Sequence, residues 1–102
     1  MYVIKHIVMW RLKEQAQGNS RSANAELVKE KLEALQGRIP GLLRIEVGLD
    51  FSATDSSADV VLYSELESRE ALEAYQSHPE HVALKDFIGS VTAERRVVDY
   101  EV

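Results

Sequence analysis

The sequence predicts a single α+β domain over residues 1–102, with strands and helices in the order β-α-β-β-α-β. Four segments show the alternation or the apolar runs that are typical of strands. Two other regions carry apolar residues at helical spacing. The length of 102 residues matches one domain, and no linker, repeat or low-complexity segment divides it.

Residues 2–13 form the first predicted strand. One face of this strand consists of Tyr2, Ile4, His6, Val8, Trp10 and Leu12. The opposite face is also largely apolar, because it carries Val3, Ile7 and Met9 beside its charged residues. A strand with apolar residues on both faces is usually covered on both sides. We therefore expect a second layer of protein on each face of this strand.

The first helix is predicted over residues 23–36, after a polar loop. Ser20 or Ser22 can cap its start, because a serine oxygen accepts from the free N–H groups of a first helical turn. Gly37 suits its end. The apolar stripe of this helix consists of Leu27, Val28, Leu32 and Leu35. Its Glu and Lys side chains, Glu33 among them, are expected to face solvent.

The second and third strands are predicted over residues 43–51 and 60–66. The second has the clearest period-two pattern of the chain, with Leu43 and Phe51 at the two ends of its apolar face. The third is apolar on both faces, and a loop of short and acidic side chains separates the two.

The second helical region is predicted to break at Pro79. Ser68 is a suitable N-cap for its first part, where Leu72 and Tyr75 share one face. Proline disfavours the α conformation in His78, and it suits the first turn of a new helix. The new helix is expected to end near Gly89, and residues 91–102 form the last predicted strand.

This order of elements is the ferredoxin-like pattern, which gives one four-stranded antiparallel sheet with helices on one face. The other sheet face is too apolar to remain in contact with water. Two such sheets packed face to face would cover it in a dimeric α/β barrel. The pattern therefore predicts a homodimer.

Composition excludes several classes of function. The formal net charge of −5, without a Lys/Arg cluster, argues against a nucleic-acid partner. The absence of cysteine excludes disulfides and thiolate chemistry. No apolar run approaches the ~20 residues of a membrane span, and Met1 leads directly into a strand. We expect a cytoplasmic protein without a membrane or nucleic-acid partner. No glycine-rich phosphate loop is present, so no cofactor is expected.

His6, Tyr75 and His81 are the candidate catalytic residues. A histidine can act as a general base near neutral pH, and a tyrosine hydroxyl can hold a substrate oxygen. The alternative is a structural cluster in which the three side chains only pack and hydrogen-bond. A ligand would lie between sheet and helices, against a wall of apolar side chains. The residues expected in this wall are Val8, Trp10, Val28, Leu32, Val82 and Phe87. If Trp10 fills the space, no cavity remains.

A metal site at His78 and His81 is a weaker hypothesis. Two histidines three residues apart can share one metal ion. However, Pro79 breaks the regular geometry between them, and His78 fits better as a capping residue at the break. We therefore expect no metal.

Four stretches resemble the stress-responsive A/B barrel family, known as Dabb. They are K-H-I-V at residues 5–8, I-P-G-L at residues 39–42, Y-Q-S-H-P-E-H-V at residues 75–82 and V-V-D-Y at residues 97–100. The resemblance covers nearly the whole chain. It implies a small dimeric α+β barrel, and for most members no activity is established.

One plant branch of this family acts as a polyketide cyclase. The resemblance to that branch implies that His81 is a base and Tyr75 its partner. Two functions therefore remain open beside a third possibility, a purely structural assembly protein. The first is a homodimeric domain that binds a small apolar or aromatic molecule. The second is a cofactor-free enzyme of the aldol-type cyclase class that uses a His/Tyr acid–base pair.

Overall fold

The computed structural model describes residues 2–102, in which six strands and three helices follow one another. The elements are β1 (Ile4–Leu12), β2 (Gln15–Ala16), β3 (Asn19–Ser20), α1 (Arg21–Glu33), β4 (Leu42–Leu49), β5 (Val60–Leu66), α2 (Arg69–Ser77), α3 (Pro79–Val91) and β6 (Thr92–Glu101). The predicted order of elements is confirmed, and a short β2–β3 hairpin is added within the predicted polar loop. Within residues 2–102, no helix combines the length and apolar character needed to cross a bilayer.

The four long strands form one antiparallel sheet in the order β4-β5-β1-β6. β1 is therefore central and pairs with β5 on one side and β6 on the other. Its side chains alternate in burial, and the face with Ile4, His6 and Val8 is buried against the helices. Val28 and Leu32 of α1 and Tyr75 of α2 are fully covered on the helical side of this core. The α+β fold and the inward direction of His6 are confirmed.

A bulge at the start of β4 changes which residues point inward. The pairing of β4 with β5 shifts register between Leu42 and Arg44. A bulge inserts one extra residue and so reverses the alternation that follows it. As a result Leu42 is buried and Leu43 is exposed, so the prediction that Leu43 points inward was wrong. The prediction for Phe51 was also wrong, because this residue lies beyond the end of β4 and is 96% exposed.

Polar side chains of α1 and of the turn after it cover the outer edge of β4. Lys29 Nζ donates to the carbonyl oxygen of Val47 at 2.7 Å, and the Val47 N–H donates to the Glu33 carboxylate at 3.2 Å. The Ile45 N–H donates to the side-chain oxygen of Gln36 at 3.0 Å. The Lys29 ammonium and then the Val47 N–H lower the pKa of the Glu33 carboxyl. Glu33 thus holds the sheet edge, instead of facing only solvent as expected.

The sheet face away from the helices has an apolar centre. Ile7 and Met9 of β1 lie there beside Val61 and Tyr63 of β5 and Val98 of β6. These side chains are only partly covered, and Met9 and Val98 are exposed. The apolar second face predicted for β1 and β5 is therefore present in the fold.

The break between α2 and α3 forms as predicted. Ser68 caps α2 by accepting from the Ala71 N–H at 3.0 Å. His78 ends α2 and caps α3, because its ring Nδ1 accepts from the Glu80 N–H at 3.1 Å. Pro79 is the first residue of α3, where a missing N–H leaves no hydrogen bond unmade. α3 runs to Val91, two residues beyond the predicted end.

Gly41 allows α2 to pack against the loop before β4. Its φ of +85° lies in the left-handed region that favours glycine. A Cβ at this position would also lie 2.7 Å from the Cβ of Ala71 in α2. Gly37 provides a contrast, because its φ of +80° is similar but a Cβ there would meet no atom within 4 Å.

Gly41→Ala is expected to lower the free energy of unfolding by roughly 2 kcal/mol or more, since it combines backbone strain with a clash against Ala71. Gly37→Ala carries only the backbone strain and should cost about 1 kcal/mol. Urea denaturation of both variants measures the difference. Equal losses would show that the contact with Ala71 does not limit the size of residue 41.

Candidate functional site

A cavity of about 460 Å³ lies between the sheet and α3. Its walls come from β1, β5 and β6 on one side and from the helices on the other. The lining residues are His6, Val8, Trp10, Leu32, Leu62, Gln76, His81, Leu84, Lys85, Ile88, Gly89, Thr92 and Arg95. The cavity thus has mainly apolar walls, two imidazoles and two basic side chains.

His6 is held in one orientation by β6. It lies opposite Asp99 in the β1–β6 register, and its ring Nδ1 hydrogen-bonds to the Asp99 carboxylate. An ionised carboxylate only accepts hydrogen bonds, so Nδ1 is the donor. Within residues 2–102, Nε2 of His6 has no hydrogen-bond partner. The side chain is almost fully buried and reaches the cavity, so Nε2 is the ring nitrogen available to a ligand.

His81 lies in the first turn of α3 and is tied to the end of α2. Its Nδ1 donates to the carbonyl oxygen of Gln76 at 3.2 Å. This bond satisfies one of the carbonyl groups left free at a helix end, and it places the proton of the neutral ring on Nδ1. Nε2 then carries a free lone pair.

The His81 imidazole is neutral at pH 7. Burial lowers its pKa below the ordinary value of 6.5. The positive charges of Lys85 and Arg95, and the nearby His6, lower that pKa further, and the Gln76 carbonyl opposes the shift. A neutral imidazole with a free Nε2 can accept a proton or a hydrogen bond from a ligand.

Tyr75 packs between the two histidines but does not line the cavity. Its ring centroid lies 4.4 Å from that of His81 and 6.0 Å from that of His6, the latter in an edge-on arrangement. Its hydroxyl is buried and finds no hydrogen-bond partner within residues 2–102. Burial raises the pKa of this phenol, which keeps the hydroxyl protonated. The three candidate residues therefore meet, but the structure brings only the two imidazoles to the cavity.

Three of the six residues expected in the ligand wall line the cavity, namely Val8, Trp10 and Leu32. Trp10 is buried and forms part of the wall without filling the space. A cavity therefore exists beside the only tryptophan of the chain.

The other three residues lie elsewhere. Val28 is fully buried in the core beneath α1, and Val82 is 46% exposed on the outer surface of α3. Phe87 packs beneath Lys31, whose Nζ lies 5.2 Å from the centre of the ring. These residues were chosen because they are apolar and lie in predicted helices. That pattern did not indicate which of them face the cavity.

Sequence reasoning missed Lys85, Arg95 and Asp99. Lys85 lies four residues after His81 and so shares its helix face. Arg95 and Asp99 share one face of β6. Only the pairing of β6 with β1 places them opposite Trp10 and His6.

No metal centre is formed by the part of the chain that the structure describes. Across residues 2–102, no three His, Asp or Glu side chains cluster closely enough to hold an ion. The His78 ring instead caps α3, with Nδ1 engaged by the backbone.

The family model of the stress responsive A/B barrel domain, Dabb, matches residues 4–102. The chain belongs to this family. No protein with a curated description matches it. A dimeric protein of unknown function from Bacteroides fragilis, with a ferredoxin-like fold, is 32% identical. Its structure aligns with a TM-score of 0.86 and covers 98% of this chain and 96% of that one.

Two further solved structures share the fold. A dimeric ferredoxin-like protein of unknown function from Thermobifida fusca is 26% identical, with a TM-score of 0.83 over 99% of this chain and 92% of that one. The hydroxynitrile lyase from Passiflora edulis is 18% identical, with a TM-score of 0.79 over 98% and 93% of the two chains. The predicted family and the ferredoxin-like fold are confirmed. No specific activity follows from these likenesses, because structures of this fold include both proteins of unknown function and an enzyme.

Proposed function

We propose that this Dabb domain is a homodimeric protein that binds a small, largely apolar or aromatic molecule in the cavity between the sheet and α3. The observation that carries the proposal is the cavity itself. Its volume of about 460 Å³ lies within the range of ligand sites, which is about 300–1,000 Å³. Apolar walls with a few convergent polar groups are also typical of such sites.

The lining matches the proposed ligand in shape and polarity. Trp10 offers an aromatic surface on the sheet side, and Leu84 and Ile88 of α3 face it across the cavity. Nε2 of His6 and Nε2 of His81 are the hydrogen-bond acceptors that would orient a hydroxyl group of the ligand. The apolar walls supply the affinity by removing the ligand from water.

The homodimer is proposed on the apolar face of the sheet away from the helices. Ile7, Met9 and Val98 lie at its centre, and isolated monomers rarely leave such a face in water. The neighbours from Bacteroides fragilis and Thermobifida fusca are described as dimeric. A second copy packed on this face would bury it and leave the cavity on the opposite side of the sheet.

A second candidate function is cofactor-free proton transfer of the aldol-type cyclase class. It is favoured by the two imidazoles with fixed ring protons that border one cavity. Nε2 of His81 would remove a proton from the carbon beside a carbonyl group. His6, held by Asp99, would stabilise the oxygen of the resulting enolate by donating from Nε2 when its ring is protonated. The fold neighbour named as a hydroxynitrile lyase is an enzyme, which is compatible with chemistry in this architecture.

In this candidate mechanism Tyr75 does not have the role expected from the sequence, in which its hydroxyl would hold a substrate oxygen. Its hydroxyl is buried and its ring packs against both imidazoles, so in this arrangement the ring sets their orientation by contact. Tyr75 is therefore proposed as a positioning residue for His81.

Met9→Lys is expected to abolish or strongly weaken dimerisation, because it places a charge at the centre of the apolar sheet face. Val82→Lys is the matched control, since Val82 has a similar exposure, 46% against 40% for Met9, but lies on the outer surface of α3. Sedimentation equilibrium at micromolar concentration measures both. A monomeric wild-type protein, or an unchanged Met9→Lys dimer, would contradict this interface.

Neutral 4-phenylbutanol should change the fluorescence of Trp10 in a saturable way, because this single tryptophan borders the cavity. Gly89→Phe should lower the affinity roughly tenfold or more, since the added ring fills space that a ligand needs. A Cβ at Gly89 meets no atom within 4 Å, so the substitution can be accommodated. Ala83→Phe, on the exposed side of α3, is the control and should leave the affinity unchanged. Saturable binding that survives Gly89→Phe would place the ligand elsewhere.

The second candidate predicts that the protein accelerates deuterium exchange beside the carbonyl group of 4-phenyl-2-butanone in D₂O, followed by proton NMR. His81→Gln should slow this exchange about a hundredfold, typical of a lost general base. The rate should fall below the lowered pKa of His81, because the protonated ring is no base. Tyr75→Phe should retain most of the rate. Exchange that is equally fast with His81→Gln would contradict this candidate and leave the binding proposal unaffected.

A further inference from the structure

The cavity differs in charge from the rest of the protein. The whole chain has a formal net charge of −5. Yet Lys85 and Arg95 both line the cavity, and none of its lining residues within residues 2–102 is an Asp or Glu. The field inside the cavity is therefore locally positive on an acidic protein, which is a pattern that favours an anionic ligand.

The two cations come from opposite walls. Lys85 lies one turn after His81 on α3, so the two side chains share a helix face. Arg95 lies on β6 directly opposite Trp10 of β1, and the two residues share the helix side of the sheet. Both side chains line the same cavity, so a ligand in it can be reached from the helix side and from the sheet side.

Neither cation is neutralised within the part of the chain that the structure describes. Arg38, Arg44 and Arg69 each form an ion pair with a glutamate. By contrast, no carboxylate of residues 2–102 lies within ion-pair distance of Lys85 or Arg95. Two acidic residues share this face of β6, and both are engaged: Asp99 by His6 and Glu101 by Arg69.

We propose that the ligand of this cavity is an apolar or aromatic molecule that ends in a carboxylate. Its apolar part would lie against Trp10, Leu62 and Ile88, and its carboxylate would lie between Lys85 and Arg95. The planar guanidinium of arginine matches a carboxylate with two parallel hydrogen bonds, and lysine adds a point charge. This inference rests on the proposed binding function and narrows it to one chemical class.

A matched pair of probes tests the carboxylate. 4-Phenylbutyrate and 4-phenylbutanamide have nearly the same shape, and only the first carries a charge. Trp10 fluorescence, checked by calorimetry, gives both affinities. We expect the acid to bind roughly tenfold more tightly than the amide, as two partly exposed charge pairs would provide. Raising the salt concentration should reduce this ratio.

Charge-neutral variants locate the effect. Arg95→Gln and Lys85→Gln should each lower the acid-to-amide affinity ratio about fivefold. Arg96→Gln is the matched control, because Arg96 is adjacent in sequence but lies on the opposite face of the sheet beside Met9. It removes the same charge from the protein and should leave the ratio unchanged.

Three results would overturn the inference. Equal affinities for the acid and the amide would remove the carboxylate preference while leaving the binding function intact. An equal effect of Arg95→Gln and Arg96→Gln would show that only the net charge of the protein matters. Failure of both probes and of 4-phenylbutanol to bind at millimolar concentration would overturn the proposed binding function together with this inference.

Discussion

The central position of β1 is the constraint on which the rest of the molecule depends. This strand hydrogen-bonds to β5 on one side and to β6 on the other, so its register fixes the position of both neighbours. The pairing with β6 brings Asp99 to His6 and Arg95 to Trp10. The residues that β1 and β6 contribute to the cavity are therefore positioned by that one register. Because a shift by one residue would reverse every side chain, the cavity and the opposite apolar face depend on it together.

Much of the fold follows from local patterns in the sequence. The alternation in β1 predicted that His6 and Trp10 lie on the helix side of the sheet. Ser68 marked the start of α2, and Pro79 marked the break before α3. The bulge at Leu42 could not be read from the sequence, because Leu42 and Leu43 are equally apolar and the ladder with β5 decides between them. Local patterns fail where a neighbouring strand decides the outcome.

The same division applies to the candidate site. His6, Tyr75 and His81 were identified from residue types and spacing, and their rings do meet. The sequence did not indicate that the Tyr75 hydroxyl is enclosed, since this depends on how closely α2 packs on the sheet. The position of Asp99 beside His6 could be recognised only from the β1–β6 register. A site of this kind is assembled by long-range pairing, whereas its individual members are visible in short motifs.

The side chains of α1 and of the turn after it that cover β4 have a consequence for how this sheet meets other strands. With the Ile45 and Val47 amide groups and the Val47 carbonyl occupied by Gln36, Glu33 and Lys29, an incoming strand finds few free groups there. β6 is the other outer strand, and its side chains are almost all exposed. Growth of the sheet by strand addition is thereby directed to a single side. The two edges of the sheet therefore differ, because the β4 edge is covered and the β6 edge is open. Any assembly that extends the sheet can add strands only at β6.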